Sequence, residues 1–273
     1  MDLHIHTSAS DGVLSPSQVV QVANGKGLTT IAITDHDTTD GVDEALEAAR
    51  RTTLEVIPGI ELSAQVGNRE VHLLGYYVDH RNGGLQEKLD VLRRSRRERA
   101  LRMVDKLAGI GIAVSWERVM TIAGGSSAFG RPHVAQALRE EGFVGSVEEA
   151  FNRYIGLRGP AYVERHKLSP REALQIIVDA DGLPVLAHPC RQEDIVPKMV
   201  SEGLVGLEVY YPRYSLDECR SLADLARRHD LVPTGGTDFH GYGEDAAEVL
   251  GEVAVPQESA GRLRVLADRR GTD

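Results

Sequence analysis

Short apolar segments, rich in β-branched residues and ended by a histidine or a carboxylate, recur along this chain and leave few folds open to it. Leu3-His4-Ile5-His6 begins the series, and Thr30–Thr34 runs into Asp35-His36-Asp37. Leu54–Ile57, Ile60–Ser63 with Glu61, and Val71–Val78 with His72 continue it. Pro184–Ala187 runs into His188, Val205–Tyr210 follows, and Val232–Thr234 leads to Asp238 and His240. Segments this short and apolar read as buried strands. Helix signals lie between them. Ser15-Pro16 opens a helix to about Lys26, a second runs from about Asp40 to Arg51, and Ser169-x-x-Glu172 and Ser215-x-x-Glu218 are capping boxes. The alternation predicts a mostly parallel α/β arrangement.

The rhythm breaks near Asn82-Gly83-Gly84. From Leu85 to about Ala108, Leu85, Leu89, Leu92, Met103 and Leu107 supply the apolar stripe of one long helix. Further helices are expected over Trp116–Ala123, Pro132–Glu141 and Val147–Tyr154, the last opened by Ser146-x-x-Glu149. The expected organisation is therefore a barrel begun by residues 1–82, a small helical module inserted over 83–162, and the barrel resumed over 163–273. Charge follows the same division: residues 83–167 hold 15 basic against 10 acidic side chains, the remainder 16 against 31.

A net charge of -10 argues against stable binding of duplex nucleic acid. No apolar run approaches the ~20 residues of a membrane span, and the first residues lack the basic-then-apolar pattern of a secretion signal. Cys190 and Cys219 form no CxxC pair and suggest no disulfide framework. The expectation is a cytoplasmic protein without a membrane or an obligate protein partner.

The chemistry lies in the polar residues among those strands. His4 and His6 are two apart on a strand, so both rings project from one face, and Asp238 and His240 repeat the spacing. Six of the ten histidines sit on strands or at their C-terminal edges, and in an α/β barrel those edges converge on one mouth. A single His-x-His pair also fits a hydrogen-bonded core strand, and His36, His72 and His188 each have an ordinary reading as loop, core or strand-end residues. Jointly those readings fail, because burying this many ionisable groups without a cation is costly. Imidazole nitrogen and carboxylate oxygen without sulfur suit Zn, Mn or Fe. Nine ligands (His4, His6, Asp11, His36, Glu61, His72, His188, Asp238 and His240) are enough for two or three divalent ions.

The segments Asp2-Leu3-His4-Ile5-His6-Thr7, Ser10-Asp11-Gly12, Thr34-Asp35-His36-Asp37, Gly59-Ile60-Glu61, Ala187-His188-Pro189 and Gly236-Thr237-Asp238-Phe239-His240-Gly241 resemble, in order, the PHP (polymerase and histidinol phosphatase) superfamily. The resemblance implies a distorted (β/α)7 barrel and a site of two or three metals. It assigns one ion to His4, His6, Glu61 and Asp238, a second to His72 and His188 with Glu61 bridging, and a third to Asp11, His36 and His240. Phe129-Gly130-Arg131-Pro132-His133-Val134-Ala135 and Pro160-Ala161-Tyr162-Val163 resemble the stand-alone, TrpH-like branch. That branch contains nucleoside 3',5'-bisphosphate phosphatases and short-oligonucleotide 5'-exonucleases.

The resemblance thus implies hydrolysis of nucleotide phosphate monoesters, with bound ions activating water and neutralising phosphoryl charge. His6, Glu61, Asp238, Arg131 and His133 are the expected catalytic residues. Arg131 and His133 are also expected to contact substrate phosphate, an arginine fork matching its oxygens well, and Arg165 and Lys167 are further candidates. The partner is a small phosphorylated nucleotide or short oligonucleotide. Rival readings are a histidinol-phosphate phosphatase, which would not need the insert, a proofreading-type 3'-exonuclease, and a non-enzymatic metal-binding module, against which the intact ligand set argues.

Overall fold

The computed structural model describes residues 1–67, 69–124, 130–164, 168–242 and 246–270. The chain divides into two compact units, Met1–Lys88 with Lys167–Asp273, and Leu89–His166.

The first unit is built on a seven-stranded sheet whose strands lie in chain order. They are β1 (Asp2–Ile5), β2 (Thr30–Ile33), β3 (Glu55–Val66), β4 (Arg69–Tyr76), β5 (Leu183–Leu186), β6 (Gly206–Tyr210) and β7 (Val232–Gly235). β1, β2 and β3 pair in parallel, as do β5, β6 and β7, while β4 runs antiparallel to both neighbours. The sheet curls: Ile5 forms a parallel bridge with Phe239, the His6 N–H donates to the Phe239 carbonyl at 2.8 Å, and the Phe239 N–H donates to the His4 carbonyl at 3.2 Å. The first strand therefore meets the segment that follows the last.

The sequence divides β3 in two at Pro58-Gly59, which looks like a turn, but the strand runs through it. Pro58 still accepts from the Val78 N–H at 3.3 Å. Gly59 stays extended where a Cβ would stand 2.7 Å from the Ile33 carbonyl oxygen, so the glycine marks close strand approach rather than a bend. The antiparallel return has a consequence for function. It pairs Ser63 with His72 and Glu61 with Leu74, bringing His72 back beside Glu61.

Helices α1 (Pro16–Gly25) and α2 (Val42–Ala49) bury Val19, Val20, Ala23, Val42 and Ala45 together with Ile31 and Ile33 of β2. α1 and the later helices α7 (Pro170–Asp179) and α9 (Leu216–Arg228) all begin with the serine capping box that leaves few N-terminal N–H groups unpaired. The short α8 (Val196–Ser201) and α10 (Ala246–Val249) complete the unit with α11 (Gln257–Arg270). α11 has no counterpart in the sequence reading. Its arginines dilute the apolar stripe, and it is anchored by Leu263, fully buried, and by the Ser259 hydroxyl, which donates to the Pro233 carbonyl at 2.6 Å.

The second unit is helical among its described residues. α3 (Gly83–Gly109), which starts in the first unit's residue range, is followed by α4 (Trp116–Ile122), α5 (Arg131–Glu140) and α6 (Val147–Ala150), the last continuing as a wider π turn to Ile155. Met103, Leu107, Val119, Val134, Leu138 and Ile155 form a core of their own, each fully buried. Among the described residues of the chain, no helix is long and apolar enough to cross a membrane.

Candidate metal centre

The strand ends of the first unit place the expected ligands in one cluster. β1 carries His4, and His6 follows the strand directly; alternation with Leu3 and Ile5 puts both rings on one face, and both are fully buried. His36 follows β2 and bridges in parallel to Glu61, which lies within β3 and is 1% exposed. His72 lies on β4, His188 follows β5, Asp238 and His240 follow β7, and Asp11 lies in the loop after β1.

Glu61 is the hub. Its Oε2 lies 3.4 Å from His4 Nε2, 3.2 Å from His6 Nε2 and 3.0 Å from His36 Nδ1. Its Oε1 lies 2.9 Å from His72 Nδ1 and 3.4 Å from His188 Nε2. Asp238 Oδ1 approaches the Nε2 atoms of His4 and His6 at 3.3 and 3.1 Å. Asp11 Oδ1 is 3.8 Å from His6 Nδ1 and 3.5 Å from His240 Nε2. Three overlapping groups result: His4, His6, Glu61 and Asp238; His6, Asp11, His36 and His240; and His36, Glu61 and His72. Within each group the ligand atoms lie within 4.8 Å of one another. The arrangement differs in three respects from the resemblance: His36 also joins Glu61 and His72, His6 is shared by two groups, and His188, though 3.4 Å from Glu61, belongs to none of the three.

Do these residues fit cations? His4 Nε2, both ring nitrogens of His6, His36 Nδ1 and Glu61 Oε2 are buried without a hydrogen-bond partner. Such atoms are expensive to bury unsatisfied. Their short approaches to each other lack hydrogen-bond geometry, as expected when lone pairs are aimed at common points between them. Nitrogen and oxygen donors of this kind, gathered within a few ångströms, fit divalent cations.

Three of the seven described non-glycine residues with positive φ lie at or beside the cluster. Asp37, His188 and Asp238 have φ of 51°, 30° and 52°, a region costing non-glycine residues about 1–3 kcal/mol each. Two of the three are candidate ligands.

Protons compete with metal for these nitrogens. Burial alone would lower the pKa of His6, but Asp238 and Glu61 overcome it and raise the value to about 10. Burial is likewise outweighed at His72, where Glu61 raises the value to about 9. At His36 burial wins, and the value falls to about 4. With folded pKa values above the ordinary 6.5, the proton-held form of His6 and His72 adds stability below that pH and loses it as pH rises through about 9 to 10. A cation needs the neutral imidazole, so its binding near pH 7 displaces protons. Metal added to chelator-treated protein in weak buffer is thus expected to acidify the solution, and its affinity to fall as pH is lowered. Binding with no proton release would contradict this.

The structure also supplies residues that the sequence did not single out. Glu208 on β6, fully buried, lies 2.9 Å from His4 Nδ1 and accepts the His188 N–H at 2.7 Å. Asp2 accepts from the Thr237 N–H at 3.0 Å and the Thr237 hydroxyl at 2.6 Å, steadying the segment that bears Asp238. Asp35 accepts from the Thr7 N–H, the Thr7 hydroxyl and the Ser10 hydroxyl at 2.7, 2.7 and 2.6 Å, bracing the loop between His6 and Asp11. The Tyr211 hydroxyl donates to Asp238 Oδ2 at 2.9 Å. Burial and the neighbouring Asp238 push that hydroxyl well above the usual tyrosine range, so it stays a donor. A carboxylate inside an apolar strand, as in Leu207-Glu208-Val209, was the available signal for Glu208.

Arg131 and His133 lie in the second unit at the start of α5, where Gly130 precedes the helix and Pro132 occupies its first turn. The Arg131 guanidinium sits 5.3 Å from the centre of the Phe151 ring. His133 is 7% exposed, and its Nδ1 accepts the Gly130 N–H at 3.1 Å. Arg165 and Lys167 lie outside the described residues.

Residues 2–163 match the PHP domain family. A 3',5'-nucleoside bisphosphate phosphatase of Chromobacterium violaceum is 34% identical over 91% of this chain and 90% of that protein. A 5'-3' exoribonuclease of Haemophilus influenzae is 33% identical over 88% of this chain and 89% of its own length. A phosphoribosyl 1,2-cyclic phosphate 1,2-diphosphodiesterase of Eggerthella lenta is 33% identical, covering 88% of this chain and 94% of that protein. A solved structure from Bifidobacterium adolescentis, named as a metal-dependent phosphoesterase, superposes with a TM-score of 0.89 at 32% identity, over 97% of this chain and 95% of that one. Family match, full-length relatives and a donor set gathered as metal ligands require agree, and the chain belongs to the PHP domain family of metal-dependent phosphoesterases.

Proposed function

We propose that this enzyme removes phosphate from nucleotides, with the 3'-phosphate of nucleoside 3',5'-bisphosphates as its preferred target and short oligonucleotides, taken from the 5' end, as a second substrate. The observation that supports phosphoester hydrolysis most strongly is the set of partnerless buried nitrogen and oxygen atoms converging around Glu61. The choice of substrate is supported by the Chromobacterium violaceum and Haemophilus influenzae relatives, which match over nearly the whole chain.

In this reading His4, His6, Glu61 and Asp238 would hold one ion, Glu61 with His72 and His188 a second, and Asp11, His36 and His240 a third. Bound divalent ions of this kind, Mn, Fe or Zn, polarise phosphoryl oxygens and lower the pKa of water. The protein's own part is positional. Glu61 and Asp238 stay ionised because, although burial disfavours their charge, the surrounding imidazoles hold both well below the usual carboxylate range. Tyr211 fixes the outer oxygen of Asp238, leaving Oδ1 toward His4 and His6. Arg131 and His133 contact substrate phosphate in this proposal, with Arg165 and Lys167 as further contacts. The barrel of residues 1–82 and 163–273 with its helical insert over 83–162 is part of the same reading.

Arg131→Ala tests the substrate assignment. Phosphate release is compared on 3',5'-bisphosphates, nucleoside monophosphates, histidinol phosphate and short oligonucleotides. A buried or half-buried charge-assisted contact to phosphate is worth about 1.5–3 kcal/mol, so KM for bisphosphates is expected to rise roughly 10- to 100-fold, with a smaller change on monophosphates. An equal loss on every monoester rejects recognition of a second phosphate by Arg131. Fast turnover of histidinol phosphate alone by the unaltered enzyme rejects the nucleotide assignment.

A further inference from the structure

We infer that Glu208 is a positioning residue that ties two metal-binding histidines together through one carboxylate. Its Oε1 lies 2.9 Å from His4 Nδ1, and its Oε2 accepts the main-chain N–H of His188 at 2.7 Å. It is fully buried on β6, and among the described polar contacts of its side chain both partners belong to the candidate ligand set.

The first bond sets the chemistry of His4. A carboxylate can only accept, so it holds the proton on Nδ1 and leaves Nε2 as a free lone pair. That Nε2 is the atom buried without a hydrogen-bond partner, 3.4 Å from Glu61 and 3.3 Å from Asp238. A carboxylate behind an imidazole fixes both the tautomer and the ring orientation and raises the basicity of the ligand nitrogen. The second bond acts on the backbone. His188 has φ of 30°, unfavourable for a non-glycine residue, and the Glu208 bond to its N–H helps keep it there, with its ring directed to Glu61. In the proposed assignment His4 and His188 serve different ions that share Glu61, so one buried anion prepares both ends of the bridge.

Glu208→Gln preserves shape but removes this dual role. An amide has a single accepting oxygen; whichever partner takes it, the NH2 group faces the other. It then either confronts the His188 N–H or donates to His4 Nδ1 and forces the proton onto Nε2, where the cation must bind.

The test uses the whole protein, stripped by chelator and titrated with Mn or Co. Glu208→Gln is expected to bind 10- to 100-fold more weakly, and its Co-loaded form to show an altered visible absorption spectrum. A merely structural role would lower thermal stability but leave the spectrum and affinity of the folded fraction unchanged, and that result overturns the inference. Should the variant not fold, the unaltered protein decides. Long-range proton–nitrogen NMR of histidine-labelled, metal-loaded protein, with His4→Gln identifying the signal, is expected to show His4 protonated at Nδ1. Protonation at Nε2 overturns the inference as well. Because none of these measurements uses turnover, they remain informative if the substrate proposed above is wrong.

Discussion

Glu61→Gln lowers kcat/KM for phosphate release by roughly 1,000-fold or more, the expected loss if the hub of the site contributes about 4 kcal/mol to stabilising developing charge. The size follows from geometry. Five imidazoles approach the two oxygens of Glu61 within 3.4 Å, more than approach either Asp11 or Asp238. Glutamine has the same length but no negative charge, and one accepting oxygen in place of two. Cation binding at both neighbouring groups should weaken together. The checks are phosphate release and metal content on protein whose fold has been verified by circular dichroism. Near-normal activity with full metal content would contradict a bridging Glu61.

Removing metal is expected to have the second large effect, on activity and stability at once. Ligand binding confined to the folded state contributes RT ln(1 + [L]/Kd), about 4 kcal/mol at a thousandfold excess over Kd. For a chain of this size each kcal/mol moves the melting temperature by roughly 2–4 °C, so chelation is expected to lower Tm by about 10 °C. Turnover should fall to background. Both should return on adding Mn, Fe or Zn, the stability gain being larger at neutral than at acidic pH because the same nitrogens bind protons. A melting temperature indifferent to chelator would contradict a cluster held together by ions.

Most of the candidate ligands could be picked out in the sequence because they stand on or directly after apolar segments. A histidine between Leu3 and Ile5, or one directly after Ala187, breaks a pattern that otherwise specifies burial. What periodicity could not show was how the strands would be arranged. Pro58-Gly59 looks like a break, yet β3 continues through it, and the antiparallel β4 that this permits is what returns His72 to Glu61. Nor did α11 leave a readable stripe, since it is held by a few buried contacts and by polar bonds from Ser259, Arg264 and Arg270 rather than by a broad apolar face.

The supporting carboxylates were hidden for a different reason. Asp2 and Asp35 stand within the recognised motifs but their work is done on neighbouring backbone, by bonds to Thr237, Thr7 and Ser10. Glu208 lies more than 200 residues from His4 in the chain, and only folding brings them together. Its place inside the apolar strand Leu207-Glu208-Val209 marks it as unusual but does not tell which distant groups it holds.

Metal analysis of anaerobically purified protein, followed by chelation and reconstitution, tests the central claim most directly. More than one divalent ion per chain, lost to chelator together with phosphate release and regained with it, is the predicted result. Protein that carries no ions, and neither binds nor responds to those added, would contradict the account.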